Sequence, residues 1–208
     1  AEFVLGRENL CGFGGKARGL AYNHAIAEGR VKEYFLQRKL DDIALWEKLD
    51  LDVYPQCDPL PAEPAVPDQI SDHQWRITDP VTGQWVIYDY SADSDVYDMV
   101  DSSLRRGGLP ELEKLTIHLE NQTFDPDAWD FSYVDMVLEK LGKDRLVMGS
   151  ADVEIGSTFD WAETFLIGLV EAPDLIHRYL DARLKTTLKL SEMLLERGVQ
   201  GLHGGYDW

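Results

Sequence analysis

The chain ends in GLHGGYDW, which gathers His203, Tyr206, Asp207 and Trp208 within six residues. The preceding VQGLH reads as a strand, so Asp207 stands two residues beyond a Gly-Gly pair at a strand's carboxyl end. A carboxylate there can orient a ligand, accept a proton or support a metal ligand. The plainer alternative is an aspartate that caps a helix or a turn. His203, Tyr206 and Trp208 read as substrate-pocket walls or packing groups before catalytic ones. A second acidic pair, Asp152 and Glu154, leaves the strand DRLVMGSA with alternating geometry, which points both carboxylates to one face. Carboxylates so close raise one another's pKa, one way of keeping an acid protonated near neutral pH. A solvated acidic loop is the competing reading.

Other candidates carry less. His24, His73, His118 and His177 show no ligand spacing to one another and read as surface or packing residues. GFGGK lacks the GKS or GKT ending of a phosphate loop and follows no clear strand, so it reads as a flexible turn or a close backbone approach. Cys11 and Cys57, in neither a CxxC nor a CxxH context, read as free thiols. Trp75, Trp85, Tyr88 and Tyr90 offer aromatic area that could cover a flat ligand, although burial is the favoured reading.

The elements that must position these groups alternate. Helical patterns over Ala21–Glu28, Val31–Leu40 and Asp41–Leu49 lead into LDVYP, a short buried strand closed by Pro55. Residues 55–67 hold five prolines and form an irregular connection. QWRIT and QWVIYDY flank DPVTG as an inserted β-hairpin over about residues 74–90. A helix is expected from Asp95 to Arg106, stopped by Gly107 and Gly108, with a shorter one from Pro110. Phe131, Val134, Leu138 and Leu141 mark a helix ended by Gly142. A helix capped by Ser157 or Thr158 runs through Phe165 and Leu169. Pro173 opens a long helix with Ile176, Leu180, Leu184, Leu188 and Leu195 on one stripe, ended by Gly198. The order helix, strand, helix, helix, strand implies parallel strands with crossovers.

The 208 residues, 44% hydrophobic, suit a single domain over 1–208. A net charge of −18 repels polyanions, so nucleic acid and anionic membrane are unsuited partners. No apolar run reaches membrane-span length and no signal-peptide layout opens the chain, so a cytoplasmic location is expected.

Three stretches resemble the uroporphyrinogen decarboxylase superfamily: DIALWEKLDLDVYP, the DPVTGQW hairpin, and the block from DRLVMGSADVEIG through LLERGVQGLHGGYDW. The resemblance covers roughly Asp41 to Trp208. It implies an α/β fold, a TIM (β/α)8 barrel of which this chain holds about the N-terminal half to two-thirds, with the site at the strands' carboxyl ends. Asp207 matches the family's acidic residue at that place, with Glu154 and Asp152 holding or polarising substrate. The arginine-containing motif PVWxMRQAGRY of the true decarboxylases is absent, so tetrapyrrole carboxy-lyase activity is the lesser alternative. The divergent branch implies corrinoid-dependent methyl transfer to or from a small thiol or oxygen compound, with a corrinoid-carrying partner protein. It also implies zinc activating the acceptor, with the zinc ligands expected after residue 208. A non-catalytic interaction module, a barrel fragment with an open edge, is the reading from another class, and a homodimer is left open.

Overall fold

The computed structural model describes residues 21, 25, 28–54, 57–63, 65–93, 96–151 and 160–204. Along the chain its elements are α1 (Val31–Leu49), β1 (Val53–Tyr54), β2 (Leu60–Pro61), β3 (Asp68–Gln69), β4 (Gln74–Thr78), β5 (Trp85–Ser91), β6 (Val96–Ser102), α2 (Ser103–Asn121), β7 (Trp129–Asp130), α3 (Ser132–Leu141), β8 (Leu146–Ser150), α4 (Ala162–Glu171), α5 (Pro173–Arg197) and β9 (Gly201–His203). Two compact units share them. Among the described residues no helix is long and apolar enough to cross a membrane.

The first unit comprises Ala1–Pro64, Asp125–Asp152 and Thr187–Trp208. Its centre is a parallel sheet in the order β1-β8-β9, with Tyr54 opposite Val147 and Ser150 opposite His203. Parallel strands are covered by their crossover helices, and the core follows suit. Val147 from the sheet meets Ile43 of α1, Val134, Val137 and Leu141 of α3, and Leu194 of α5. β2 and β7 pair antiparallel as a two-stranded clip beside it.

The second unit comprises Ala65–Phe124 and Val153–Thr186. Its sheet is an antiparallel meander, β3-β4-β5-β6. DPVTG makes the β4–β5 turn: Asp79 Oδ1 accepts from the N–H groups of Val81 and Thr82 at 2.7 and 3.0 Å, and Gly83 takes φ 72°. Leu112, Phe165, Ile176 and Tyr179 of α2, α4 and α5 form a separate core.

This arrangement overturns the partial (β/α)8 barrel. Among the described residues there are three separate sheets, one parallel and two antiparallel, of three, two and four strands. A barrel needs successive parallel strands joined through helices. Here the chain between β1 and β8 instead passes through the β3–β6 meander, whose short turns can join only antiparallel neighbours. The helix expected from Asp95 is also corrected. Residues 96–102 are strand β6, paired to β5, and the helix begins at Ser103, where Ser102 Oγ accepts from Arg105 N at 3.1 Å.

The expected stripe on α5 does not face inward as a whole. Ile176 is buried, but Leu184 and Leu188 are 40% and 54% exposed, and the buried face runs through Ile176, Tyr179, Ser191 and Leu194. A step of four residues overshoots a helical turn by about 40°, so residues at strict spacing of four drift off any fixed face.

As the sequence anticipates, Gly107 and Gly108 stop the first helical stretch of α2, and a second begins beyond them. Gly108 sits at φ 60°, ψ −148°, and the helix resumes through Pro110. Nothing lies within 4 Å of a Cβ added there, so the demand for glycine is purely conformational. Gly108→Ala is therefore expected to cost about 1–3 kcal/mol in urea unfolding despite the open space, since that region is closed to side-chain-bearing residues.

Candidate functional site

One face of α1 repeats chemistry-bearing residues at helical spacing: Phe35, Arg38, Lys39, Asp42 and Trp46. Together with Tyr54 of β1, Asp58 and Leu60 after it, and Tyr133 of α3, they line a pocket of about 340 Å³ in the first unit. It opens beside the carboxyl end of β1, where parallel sheets place their ligands.

Local packing fixes each wall. Trp46 donates its indole N–H to Val53 O at 2.6 Å and stands edge-on to the Tyr54 ring, centroids 5.1 Å apart. The Tyr54 and Tyr133 hydroxyls hydrogen-bond to each other. Beyond β1 the chain stays tied to β8, with Cys57 N donating to Met148 O at 2.9 Å and Asp58 Oδ1 accepting from Ser150 N at 2.6 Å. Gly149 makes this possible, since a Cβ there would meet Leu194 Cδ1 at 2.8 Å and Asp58 Oδ1 at 3.5 Å.

Lys39 is the unusual group, a lysine only 6% exposed. Its ammonium lies 5.0 Å from the Tyr133 ring centroid and donates to Ser132 Oγ at 3.4 Å. Burial lowers its pKa, with the charge of Asp130 pulling the other way. One turn on, burial raises the Asp42 carboxyl, opposed by Arg38, whose Nε lies 3.9 Å from Asp42 Oδ2. Burial pushes the Tyr133 phenol up to about 12 and the Tyr54 phenol upward too, so both hydroxyls keep their protons. The site thus sets an amine that loses its proton more readily than usual beside a carboxyl that holds its proton longer than usual. Such a pairing suits proton transfer. The lining sets two cationic residues, Arg38 and Lys39, among two acidic ones, Asp42 and Asp58, so it offers both charge signs to a ligand.

No family model, curated protein or solved structure matches this chain. Asp152, Glu154, Tyr206, Asp207 and Trp208 lie outside the described residues, as do Cys11, His24, the GFGGK stretch and the Ser157 and Thr158 caps. His203 is half-buried on β9, and its carbonyl accepts from Ala151 N at 2.8 Å. Lys39, Asp42, Tyr54, Asp58 and Tyr133 were not singled out by sequence. The available signal was the 35, 38, 39, 42, 46 spacing, which mixes aromatic and charged residues on a face that also borders a strand.

Zinc does not fit what is described. Among the described residues no group of three or more His, Cys, Asp or Glu side chains could hold a metal ion. Cys57 is fully buried, its sulfur lies 3.9 Å from Val134 O, and burial pushes its thiol up to about 12, the opposite of a thiolate ligand.

Proposed function

We propose that this chain carries a small-molecule reaction site like those of the divergent methyltransferase branch of the uroporphyrinogen decarboxylase superfamily, with the methyl acceptor bound in the first unit's pocket. The observation that supports the reading is where the resembling segments lie. DLDVYP, DRLVMGS and GVQGLH supply β1, β8 and β9, three adjacent parallel strands, and the pocket opens at the carboxyl end of the first. The reading concerns the site and its chemistry, not an eightfold ring.

The pocket's volume sits at the low end of the ~300–1,000 Å³ that enclose drug-sized ligands. It therefore suits a small acceptor and not a tetrapyrrole-sized ring, which also disfavours the carboxy-lyase alternative. Neither zinc nor a corrinoid is assigned a place on the described residues, and the roles below belong to the chain alone. Arg38 attracts the acceptor's anionic end. The Tyr133 and Tyr54 hydroxyls orient its polar atoms, and the Phe35 and Trp46 rings shield it from water. Lys39, in its neutral form, takes the proton that the acceptor's thiol or hydroxyl must shed as it becomes a nucleophile.

The test is methyl transfer from methylcobalamin to thioglycolate, a small carboxylated thiol, followed by mass spectrometry of the product. Turnover that falls about tenfold or more in Tyr133→Phe, with the fold intact, is the expected outcome. Absence of both turnover and thioglycolate binding in the unaltered protein would falsify the reading.

A further inference from the structure

The charges of the first unit's pocket are arranged differently from those of a simple anion site. Arg38 and Asp42 stand one helical turn apart on α1 and both line the pocket. Their side chains are 54% and 34% exposed, so a ligand can reach either. They are also held apart. Elsewhere on the surface, arginines of this chain close on their carboxylates: Arg106 donates to Asp101 at 2.6 and 2.9 Å, and Arg178 to Glu120 at 2.7 and 2.8 Å. Arg38 Nε instead lies 3.9 Å from Asp42 Oδ2, beyond hydrogen-bond distance, which keeps a positive and a negative pole side by side in the pocket wall.

Asp58 brings a second carboxylate, fixed by Ser150 N at 2.6 Å, and Lys39 a second cation. The charges of the lining therefore cancel, and lean negative once Lys39 gives up its proton. An acceptor that is only anionic gains little from such a wall, and a chain of net charge −18 repels it on approach. One that carries both signs meets a partner for each. An α-amino acid holds its ammonium and its carboxylate on one carbon, about 3 Å apart, a spacing close to that of the two poles. Laid antiparallel over the pair, it can set its carboxylate on the guanidinium and its ammonium on the Asp42 carboxylate through charge-assisted hydrogen bonds. We infer that the ligand of this pocket is a small amino-acid-like zwitterion, bound with its carboxylate at Arg38 and its ammonium at Asp42. This rests on the reading of the pocket as the acceptor site, and it narrows the acceptor to a zwitterion that bears the reacting thiol or hydroxyl.

Three thiols separate the two charges: L-cysteine, 3-mercaptopropionate, which is cysteine without its ammonium, and cysteamine, which is cysteine without its carboxylate. Isothermal titration calorimetry on the whole chain near neutral pH is expected to show L-cysteine binding at least about tenfold more tightly than either, the weight of a hydrogen bond to a charged group. Asp42→Asn should remove the advantage over 3-mercaptopropionate, and Arg38→Gln the advantage over cysteamine. Should circular dichroism show that a variant does not fold, the ranking of the three thiols on the unaltered chain decides. 3-Mercaptopropionate binding as tightly as L-cysteine, an advantage that survives Asp42→Asn in a folded variant, or no L-cysteine binding by the unaltered chain would each overturn the inference. Its failure and that of the methyl-transfer reading look different. Methyl transfer to thioglycolate with no preference for L-cysteine removes the zwitterion and leaves the reaction. L-Cysteine bound through Arg38 and Asp42, with no thioglycolate bound and no methyl transferred, removes the reaction and leaves the zwitterion site.

Discussion

Lys39→Met is expected to lower methyl-transfer turnover by about 10²-fold or more while making the folded chain more stable at neutral pH. The two effects have one cause. A protonated lysine only 6% exposed has given up most of its hydration, and burial outweighs the attraction of Asp130, which is why its pKa falls below the ordinary 10.5. Methionine keeps a comparable unbranched stem and removes the charge. General-base removal commonly costs 10²–10⁴-fold, and the loss should appear in kcat more than in KM, because Arg38 and the aromatic walls still bind the acceptor. The pH dependence of stability tests the desolvation cost itself. In the interval between the lowered native value and 10.5, the unfolded chain binds a proton that the folded chain does not. Wild-type stability therefore rises with pH across that interval, and below it the cost of burying the charge is borne in full. The advantage of Lys39→Met should thus be largest near neutrality and shrink as pH climbs toward 10.5, read by urea unfolding at a series of pH values. A Met variant less stable than wild type at neutral pH would show that the contacts with Tyr133 and Ser132 outweigh desolvation.

Local chemistry was legible in the sequence wherever one segment decided its own structure. DPVTG forms its turn from its own aspartate and glycine, and Pro173 and Gly198 bracket α5 because proline suits a first turn and glycine, here at φ 103°, suits the exit. Parallel pairing of LDVYP, RLVMGS and QGLH also followed from the order of helices and strands. What could not be read locally was competition between partners. VYDMVDS carries apolar residues that serve a helix or a strand, and the free edge of β5 decides for strand. That choice, with the other hairpins between β1 and β8, draws the middle of the chain into an antiparallel meander that a count of helix-strand alternations does not foresee. The candidate site was missed for a related reason. Lys39 and Asp42 look like ordinary charges on a polar helix face, and only the approach of Tyr133, ninety-odd residues later, turns that face into a pocket wall.

The largest effect on stability is expected from Leu194→Ala. Leu194 is 1% exposed and lies on the inward face of α5, in the core shared with Val134, Val137 and Val147. Its Cδ1 stands 2.8 Å from where a Cβ on Gly149 would be, so leucine and glycine fill one gap jointly. Truncation removes the transfer free energy of the lost methyl and methylene groups and leaves a cavity as well, for about 3 kcal/mol in all. The glycine cannot relax into the space, because β8 is held on both sides, by Tyr54 opposite Val147 and by His203 opposite Ser150. The same rigidity carries the loss to the site. β8 holds Asp58 through Ser150 N, so a loosened Gly149 frees the carboxylate that borders the pocket. Unfolding in urea should show the midpoint shift for signals from the first unit, such as Trp46, and acceptor binding should weaken in parallel. Leu188→Ala, on the exposed face of the same helix, is the control and should change stability by no more than about 0.5 kcal/mol. Equal costs at the two positions would mean that α5 buries a different face from the one described.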